Sequence, residues 1–219
     1  MFWKRKKLPH GLAVDPPLNT PIRQLAFTVF DTETTGFAVG AGDRLIEVAA
    51  VHVEGLEVTD FTFQTYVNPE RNIPAEIEEL TGISEDKVKN APASLPAIES
   101  FFRFVEQSGS AAWVGHYSSF DVTVLKKELQ RYQFSFNVPL LFDTLDLIGY
   151  ISPSKDMRDL EVYAKQFGTY IYERHQALGD ALTTAHLFCE LLRHLEARGK
   201  TTLADLIDIS SMTNRALLF

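Results

Sequence analysis

The order of the apolar segments constrains the fold of this chain more than any other feature of its sequence. Three segments rich in β-branched and aromatic residues come first, at 25–31, 44–54 and 56–67, and Gly55 predicts a hairpin between the last two. Beyond them, segments with helical apolar spacing alternate with short strand-like segments. Consecutive strands followed by such an alternation predict an α/β fold, in which a mixed central sheet is flanked by helices.

The later segments divide into predicted helices and short predicted strands. Helices are predicted at 74–84, 93–107, 119–133, 157–167, 180–198 and 201–209, with Gly82 and Gly168 ending the first and the fourth. A strand is predicted at 111–116, and residues 139–151 predict a short strand that runs into a helix. Residues 22–209 are therefore predicted to form one domain, with an arm at 1–21 and a short tail at 210–219.

The arm is basic and rich in proline. Its charges cluster at Lys4, Arg5, Lys6 and Lys7, and several prolines follow before residue 22. This composition predicts a solvated, partly extended leader. A docking arm for an acidic partner or a membrane surface is the alternative.

Length and charge limit the function classes. With 219 residues, of which 45% are hydrophobic, the chain is long enough for one compact domain with a sizeable core. Its net charge of −8 argues against a protein that coats nucleic acid, because such proteins are usually basic. The charge remains compatible with an enzyme that meets nucleic acid at one small site, where metal ions supply positive charge locally.

The single cysteine, Cys189, excludes an internal disulfide and argues against a cysteine-based zinc site. No apolar run in the sequence reaches the length that a bilayer span needs. The basic N-terminus is followed by a segment that is too short and too proline-broken for a signal-peptide core. The sequence therefore favours a cytoplasmic location without a membrane partner.

The first strand-like segment ends in two acids that are one residue apart. Side chains alternate across a strand, so Asp31 and Glu33 point the same way if the strand continues. Like charges on one face are costly unless a cation lies between them, and carboxylate oxygens are the ligands that Mg²⁺ and Mn²⁺ prefer. Taken alone, the pair also fits an exposed strand end with two unrelated acids.

Two later segments place further acids near predicted helix starts. Asp121 lies near the beginning of an amphipathic helix, and Asp180 begins the long helix, five residues after His175 in a loop. Each acid alone fits a first-turn residue that is stabilised by the helix dipole, and His175 alone fits an ordinary loop histidine. The joint occurrence of these residues favours a metal site over three unrelated features.

Three short motifs together resemble those of a known enzyme family. In order, the chain contains "FDTETTG", "GHYSSFD" and "HQALGD". The set is similar to the three exonuclease motifs of the DEDDh (DnaQ-like) 3′–5′ exonucleases, which include the proofreading epsilon subunit of bacterial DNA polymerase III. The resemblance extends over residues 24–198, with "DRLIEVAAV" and "FDTLDL" fitting as well. It implies a ribonuclease-H-like fold.

The resemblance also implies a reaction and the residues that perform it. Asp31, Glu33, Asp121 and Asp180 would hold two divalent cations, Mg²⁺ or Mn²⁺, and His175 would act as the general base. The expected reaction is hydrolysis of the last phosphodiester bond at a 3′ end, with release of a nucleoside 5′-monophosphate.

The residues expected to bind the terminal nucleotide surround the turn after the first motif and the start of the second. They are Thr34, Gly36, Phe37, His116 and Phe120. Phe37 fits either a stacking face for the last base or a hydrophobic plug over the strand end. One position departs from the family pattern, because Tyr117 stands where the second motif usually has asparagine. The change bears on substrate contacts or local packing and leaves the ion ligands intact.

The expected substrate is a single-stranded or frayed 3′ end, since an acidic chain is poorly suited to grip long duplexes. DNA is favoured, and RNA trimming is the alternative. A non-catalytic polymerase-associated module would be expected to lack at least one of the five key residues. A structural calcium site would leave His175 unexplained and lacks the ligand loop of an EF-hand.

The C-terminal "NRALLF" somewhat resembles peptides that dock on sliding clamps. A contact with a clamp or a polymerase is therefore one hypothesis for the tail. An apolar end folded onto the domain is the other.

Overall fold

The computed structural model describes residues 5–153 and 159–216. Its strands in chain order are β1 Lys6–Lys7, β2 Ala26–Thr34, β3 Leu45–Glu54, β4 Glu57–Tyr66, β5 Ala112–Gly115, β6 Phe134–Ser135 and β7 Leu141–Asp143. Its helices are α1 Ala75–Thr81, α2 Glu85–Val88, α3 Ser94–Ser108, α4 Ser118–Arg131, α5 Thr144–Ile151, α6 Leu160–Gln166, α7 Ala177–Glu196 and α8 Leu203–Ala216. Within these ranges no helix combines the length and apolar character needed to cross a bilayer.

The larger sheet is mixed, as the sequence predicts. Its strand order is β4-β3-β2-β5-β7, with β2 at the centre. Strand β2 runs antiparallel to β3 and parallel to β5, and β5 runs parallel to β7. The carboxyl ends of β2, β5 and β7 therefore lie together at one end of the sheet. Sheets of this kind usually bind ligands at this end.

Strands β3 and β4 form the predicted hairpin. Gly55 and Leu56 make its two-residue turn, with φ angles of 61° and 65°. Two consecutive positive φ angles are typical of a type I′ turn, whose twist matches that of paired strands. Because glycine adopts this backbone without steric cost, Gly55 was a sound signal for the hairpin.

Alternation along β2 sends its side chains into two separate cores. Phe27 belongs to the core under α5 to α8, and its ring lies 5.0 Å from that of Phe188 on α7. Phe30 belongs to the opposite core, under α3 and α4. The same alternation puts Asp31 and Glu33 on the α7 side and the threonine between them on the α4 side.

The boundaries of α7 and α8 differ from the predicted ones. Helix α7 begins at Ala177, three residues before the predicted start, so Asp180 lies inside its first turn. Helix α8 runs to Ala216 and takes in most of the predicted tail, since no glycine or proline interrupts 203–216. The predicted start of the 157–167 helix lies outside the described residues, and so do the last three residues of the tail, which carry the clamp hypothesis.

Most residues of the described part of the arm are exposed, as expected of a solvated leader, but two leucines and a short strand pack against the domain. Strand β1 pairs in parallel with β6, where Lys6 lies opposite Phe134. Leu8 and Leu12 are buried in the α3–α4 core. The buried indole N–H of Trp113 donates to the Leu12 carbonyl at 3.1 Å, so the arm also satisfies a polar group of the core. The domain limits at 22 and 209 stay predictions.

The packing of the arm predicts unequal effects for two leucines. Leu12→Ala should lower the free energy of unfolding by about 2 kcal/mol, because it removes a buried side chain and leaves a cavity. Leu12 is only 7% exposed, whereas Leu18, in the same arm, is 59% exposed. Leu18→Ala should therefore change stability by less than about 0.5 kcal/mol. Urea unfolding of both variants measures the difference, and equal effects would contradict the docked arm.

Candidate active site

Asp31 and Glu33 lie at the carboxyl end of the central strand. Strand β2 continues past Asp31 to Thr34, so the two acids share the face that α7 covers. Both side chains are partly buried. Because alternate residues of a strand share one face, the two carboxylates lie side by side at the carboxyl end of this central strand.

Asp180 reaches the same place from α7. It lies in the first turn of the helix and is 7% exposed. Carboxylate oxygens of Asp31, Glu33 and Asp180 all lie within 4.8 Å of one another. The packing of α7 on β2 therefore joins the acids of the first motif to the acid of the third.

Asp121 approaches from the opposite side of the sheet. It belongs to the first turn of α4 and is 4% exposed. Its Oδ1 accepts hydrogen bonds from the backbone N–H and the hydroxyl of Thr32, at 3.0 and 2.6 Å. Thr32 lies between Asp31 and Glu33 but points to the α4 side. Its contact therefore brings Asp121 next to the cluster of Asp31, Glu33 and Asp180, although Asp121 is not one of these three.

Burial is the largest cause of the pKa shifts of these acids. Burial, followed by the charges of Asp121, Glu33 and Asp180, raises the pKa of Asp31 well above its ordinary value. Burial and then the charge of Asp180 raise the pKa of Glu33 to about 8. Burial raises the pKa of Asp121 to about 7, and it also raises the pKa of Asp180. The cluster is therefore poised to take up positive charge, as protons or as metal ions.

His175 lies in the loop before α7, on the same cleft as the acids. Its backbone has a φ of 59°, a conformation that is uncommon for a residue other than glycine. Its backbone N–H donates to Oδ2 of Asp180 at 3.2 Å. This bond ties the position of the histidine to that of the acid.

Arg174 is a member of the site that the sequence did not single out. Its guanidinium forms an ion pair with Oδ1 of Asp180 and opposes the rise in the pKa of that acid. The available signal was a basic residue directly before His175 in the third motif. The sequence does not show that the side chain of Arg174 turns toward the acids.

Glu47 is a second member that was missed. It is 1% exposed and lies opposite Glu33 in the β2–β3 pairing. One carboxylate oxygen accepts from Gln64 at 2.6 Å, and the other accepts from the backbone N–H of Ala177 at 3.0 Å. Glu47 therefore caps the start of α7 and positions Asp180. Its signal was an acid inside an otherwise apolar strand segment, "RLIEVAAV".

The turn after β2 is organised by Asp43. Its carboxylate accepts from the backbone N–H of Ala38 at 2.8 Å and from the hydroxyl of Thr35 at 3.1 Å. Gly36 has a φ of 150°, and a Cβ at this position would lie 2.5 Å from Asp43 Oδ2. The turn thus requires glycine. It is closed further by the Thr34 hydroxyl, which donates to the Gly36 carbonyl at 2.7 Å.

This turn and the acids border an open cavity of about 440 Å³. All five predicted substrate-binding residues line it: Thr34, Gly36, Phe37, His116 and Phe120. The side chain of Phe37 is 84% exposed, which favours a stacking face over a hydrophobic plug at the strand end. Its ring lies 5.8 Å from that of Phe120, and Ile77 and Leu80 of α1 line the same cavity.

His116 lies at the floor of the cavity. Its Nδ1 is 2.7 Å from the hydroxyl of Thr144. Its Nε2 is buried without a hydrogen-bond partner among the described residues. Burial lowers the pKa of His116 to about 4, so the ring is neutral at pH 7.

The fold and the site together define a class of protein. It consists of α/β domains whose mixed sheet carries a carboxylate cluster and an open cleft at the carboxyl end of its central strand. Residues 28–188 match the family model RNase_T, described as Exonuclease. This chain belongs to that exonuclease family, and the prediction made from its three motifs is confirmed.

The DNA polymerase III subunit epsilon-like protein of Rhodobacter capsulatus is 39% identical to this chain over 186 residues. The match covers 84% of this chain and 26% of that protein. This chain therefore spans about a quarter of the length of that relative.

Two solved structures share the fold. "Exonuclease X in complex with 5′ overhanging duplex DNA" has a TM-score of 0.65 at 23% identity and covers 84% of this chain and 99% of its own. The nuclease domain of 3′hExo, a DEDDh family member bound to rAMP, has a TM-score of 0.67 at 20% identity, with 80% and 94% covered. These likenesses confirm the predicted ribonuclease-H-like fold.

The raised pKa values predict that metal and pH act together on stability. Between the unfolded pKa near 4.5 and the value of about 8 for Glu33, the native state holds more protons than the unfolded one. Without metal, the melting temperature should fall as pH rises through this window. Saturating Mg²⁺ or Mn²⁺ should raise it by about 5 °C at pH 8 and by much less at pH 5, because protons compete for the ligands.

Thermal melts with chelator and with each metal measure this effect. Asp31→Asn is the control, since it removes one charge from the cluster and should abolish most of the metal-dependent rise. A rise of equal size at both pH values would contradict the acid cluster as the binding site.

The packing of the His175 loop predicts that Gly179 does not tolerate a side chain. A Cβ there would lie 1.9 Å from the carbonyl oxygen of Glu173, so Gly179→Ala must displace the loop. Gly149→Ala is the matched control, because Gly149 is also helical and a Cβ there meets nothing within 4 Å. We expect Gly149→Ala to be neutral or stabilising by up to about 1 kcal/mol. Gly179→Ala should destabilise, with weaker metal binding; equal melting temperatures would contradict this close approach.

Proposed function

We propose that this chain is a metal-dependent 3′–5′ exonuclease that releases nucleoside 5′-monophosphates from the 3′ end of a DNA strand. The observation that carries the proposal is the convergence of Asp31, Glu33 and Asp180, whose carboxylate oxygens lie within 4.8 Å of one another at an open cleft. Membership of an exonuclease family supports the proposal independently.

The donor set fits hard divalent cations. The clustered groups are carboxylates, and oxygen ligands of this kind suit Mg²⁺ and Mn²⁺ better than soft metals. Asp31, Glu33 and Asp180, together with Asp121, would hold two such ions. When bound, the ions would supply positive charge beside the scissile phosphate and make water a better nucleophile at neutral pH.

We assign His175 as the group that accepts the proton of the attacking water. The water oxygen forms a bond to phosphorus, and the bond from phosphorus to the 3′ oxygen of the preceding nucleotide breaks; this 3′ oxygen takes a proton from solvent and leaves as a hydroxyl. His175 borders the cleft with the acids, and its backbone bond to Asp180 keeps it near them. An imidazole is suited to proton transfer near neutral pH.

The cavity beside the acids is assigned to the terminal nucleotide. The exposed ring of Phe37 offers a stacking face for the base, and Phe120 lies next to it. We assign the turn backbone around Gly36, which lines the cavity, to the sugar. The neutral ring of His116 lines the same cavity.

DNA is the favoured substrate because the epsilon-like relative is named for a DNA polymerase. Trimming of RNA by the same chemistry is the alternative. A role as a non-catalytic polymerase-associated module is disfavoured, since all five motif residues are present and line one cleft. Contact with a polymerase is part of the proposal, and a cytoplasmic location stays a prediction from the sequence.

The proposal predicts metal-dependent shortening of a strand labelled at its 5′ end and release of the terminal nucleotide. Asp31→Ala should lower the rate by at least about 10³-fold, because the cluster loses a ligand. His175→Ala should lower it by about 10²- to 10⁴-fold while metal-dependent stabilisation persists, since the residue acts on the proton and not on the ions.

The measurement is a side-by-side digestion of single-stranded DNA, duplex DNA and RNA of one sequence, with Mg²⁺, Mn²⁺ or chelator. Single-stranded DNA should be degraded fastest. Faster degradation of RNA would replace DNA by RNA in the proposal. If Asp31→Ala is as active as the parent protein, the site assignment is wrong.

A further inference from the structure

A second cavity adjoins the terminal-nucleotide cavity at the acid cluster. Its volume is about 200 Å³, and Arg174, Asp159 and Leu160 line it but not the first cavity. The two cavities share Asp31, His116, Tyr117 and Asp180 as a common border. Because a phosphodiester joins two nucleotides, a phosphate held at this border places one nucleotide on each side of it.

Tyr117 is the aromatic residue on this border. Its side chain is 45% exposed, and its ring plane is nearly perpendicular to that of His116, with a centroid distance of 5.2 Å and an interplanar angle of 87°. His116 is in turn backed by Tyr163, whose ring is 6.0 Å away. An aromatic ring that is nearly half exposed and packed against a second ring offers surface on which a base can stack.

The backbone holds this ring in place despite local strain. Tyr117 has a φ of 59°, a left-handed conformation in which a bulky residue is an outlier. The Asp143 carboxylate fixes it by accepting the backbone N–H of Tyr117 at 3.3 Å, and the backbone N–H and hydroxyl of Ser118 at 2.8 and 2.9 Å. Strain that is held in this way is typical of functional positions. Asparagine, the usual residue here in the resembling family, tolerates this backbone far better.

The charges around the second cavity favour stacking over ion pairing as the means of binding. Asp31 and Asp180 border the cavity, and Asp159 lines it but is engaged in capping α6. Arg174 is already paired with Asp180. A neutral ring binds a base without adding to these charges, so the aromatic face is the part of this cavity that suits a nucleotide best.

We infer that Tyr117 and the second cavity bind the nucleotide on the 5′ side of the scissile phosphate, with its base stacked on the tyrosine ring. The inference rests on the proposed function and deepens it. Stacking at this position requires that the second base from the 3′ end be unpaired. Tyr117 is therefore a specificity-determining residue that favours single-stranded or frayed ends over intact duplex ends.

The test compares two strands that differ only at the second nucleotide from the 3′ end, which is either natural or abasic. For the natural strand, Tyr117→Asn should raise KM by about tenfold and leave kcat within about twofold, because the contact is one of binding. For the abasic strand, the parent protein and Tyr117→Asn should have the same KM. Tyr117→Phe should behave as the parent protein does.

Two controls separate this contact from a structural role. Tyr117→Asn should keep or raise the melting temperature, since asparagine accepts the left-handed backbone. Tyr170→Asn removes another exposed tyrosine, which is 71% exposed and lines neither cavity, and should leave KM unchanged. The preference for single-stranded over duplex DNA should shrink in Tyr117→Asn by about the same tenfold factor.

Binding decides the inference even if turnover fails. The dissociation constant of a single strand with a slowly hydrolysed 3′-terminal phosphorothioate should rise about tenfold in Tyr117→Asn, and only when the second base is present. An equal loss on both strands, or no loss, overturns the inference and leaves the proposed function standing. A parent protein that binds the strand but never shortens it would refute the proposed function alone.

Discussion

The carboxylates at the carboxyl end of β2 repel one another. Their burial removes water that would otherwise weaken this repulsion. The raised pKa values of Asp31 and Glu33 express this cost directly. Hydrogen bonds from neutral groups supply much of the support, such as those from Thr32 to Asp121 and from the His175 backbone to Asp180. Arg174 offsets part of the repulsion, but the pKa values of Asp31 and Glu33 stay raised, so the cluster still favours protons or divalent cations.

The position of β2 at the centre of the sheet explains how acids from three motifs can meet. Alternate residues of one strand reach opposite faces, so α7 and α4 can each deliver an acid to the same strand end. The contact of Phe27 with Phe188 fixes α7 against the strand, and the close approach of Gly179 to Glu173 fixes the His175 loop against α7. The positions of the acids therefore depend on the packing of both cores. A substitution that disrupts either core is expected to displace them.

Much of the fold followed from local patterns, as did the family. The hairpin at Gly55 and the helix ended by Gly82 appear where turn chemistry predicts them. The docked arm did not follow, because its two buried leucines stand among charges and prolines that are typical of a solvated leader. The supporting roles of Glu47, Arg174 and Asp143 did not follow either, since each acts on a group 6 to 130 residues away along the chain.

The sequence by itself determined which acids are present, the alternation that points Asp31 and Glu33 to one face, and the motifs that assign the chain to an exonuclease family. Only the tertiary structure decided that Asp121 reaches the cluster from the opposite face, that Phe37 is exposed, and that Tyr117 borders a second cavity. The physical reason is that strand alternation and turn chemistry act over a few residues. Convergence of side chains depends on how helices pack against both faces of a sheet, which no local pattern encodes.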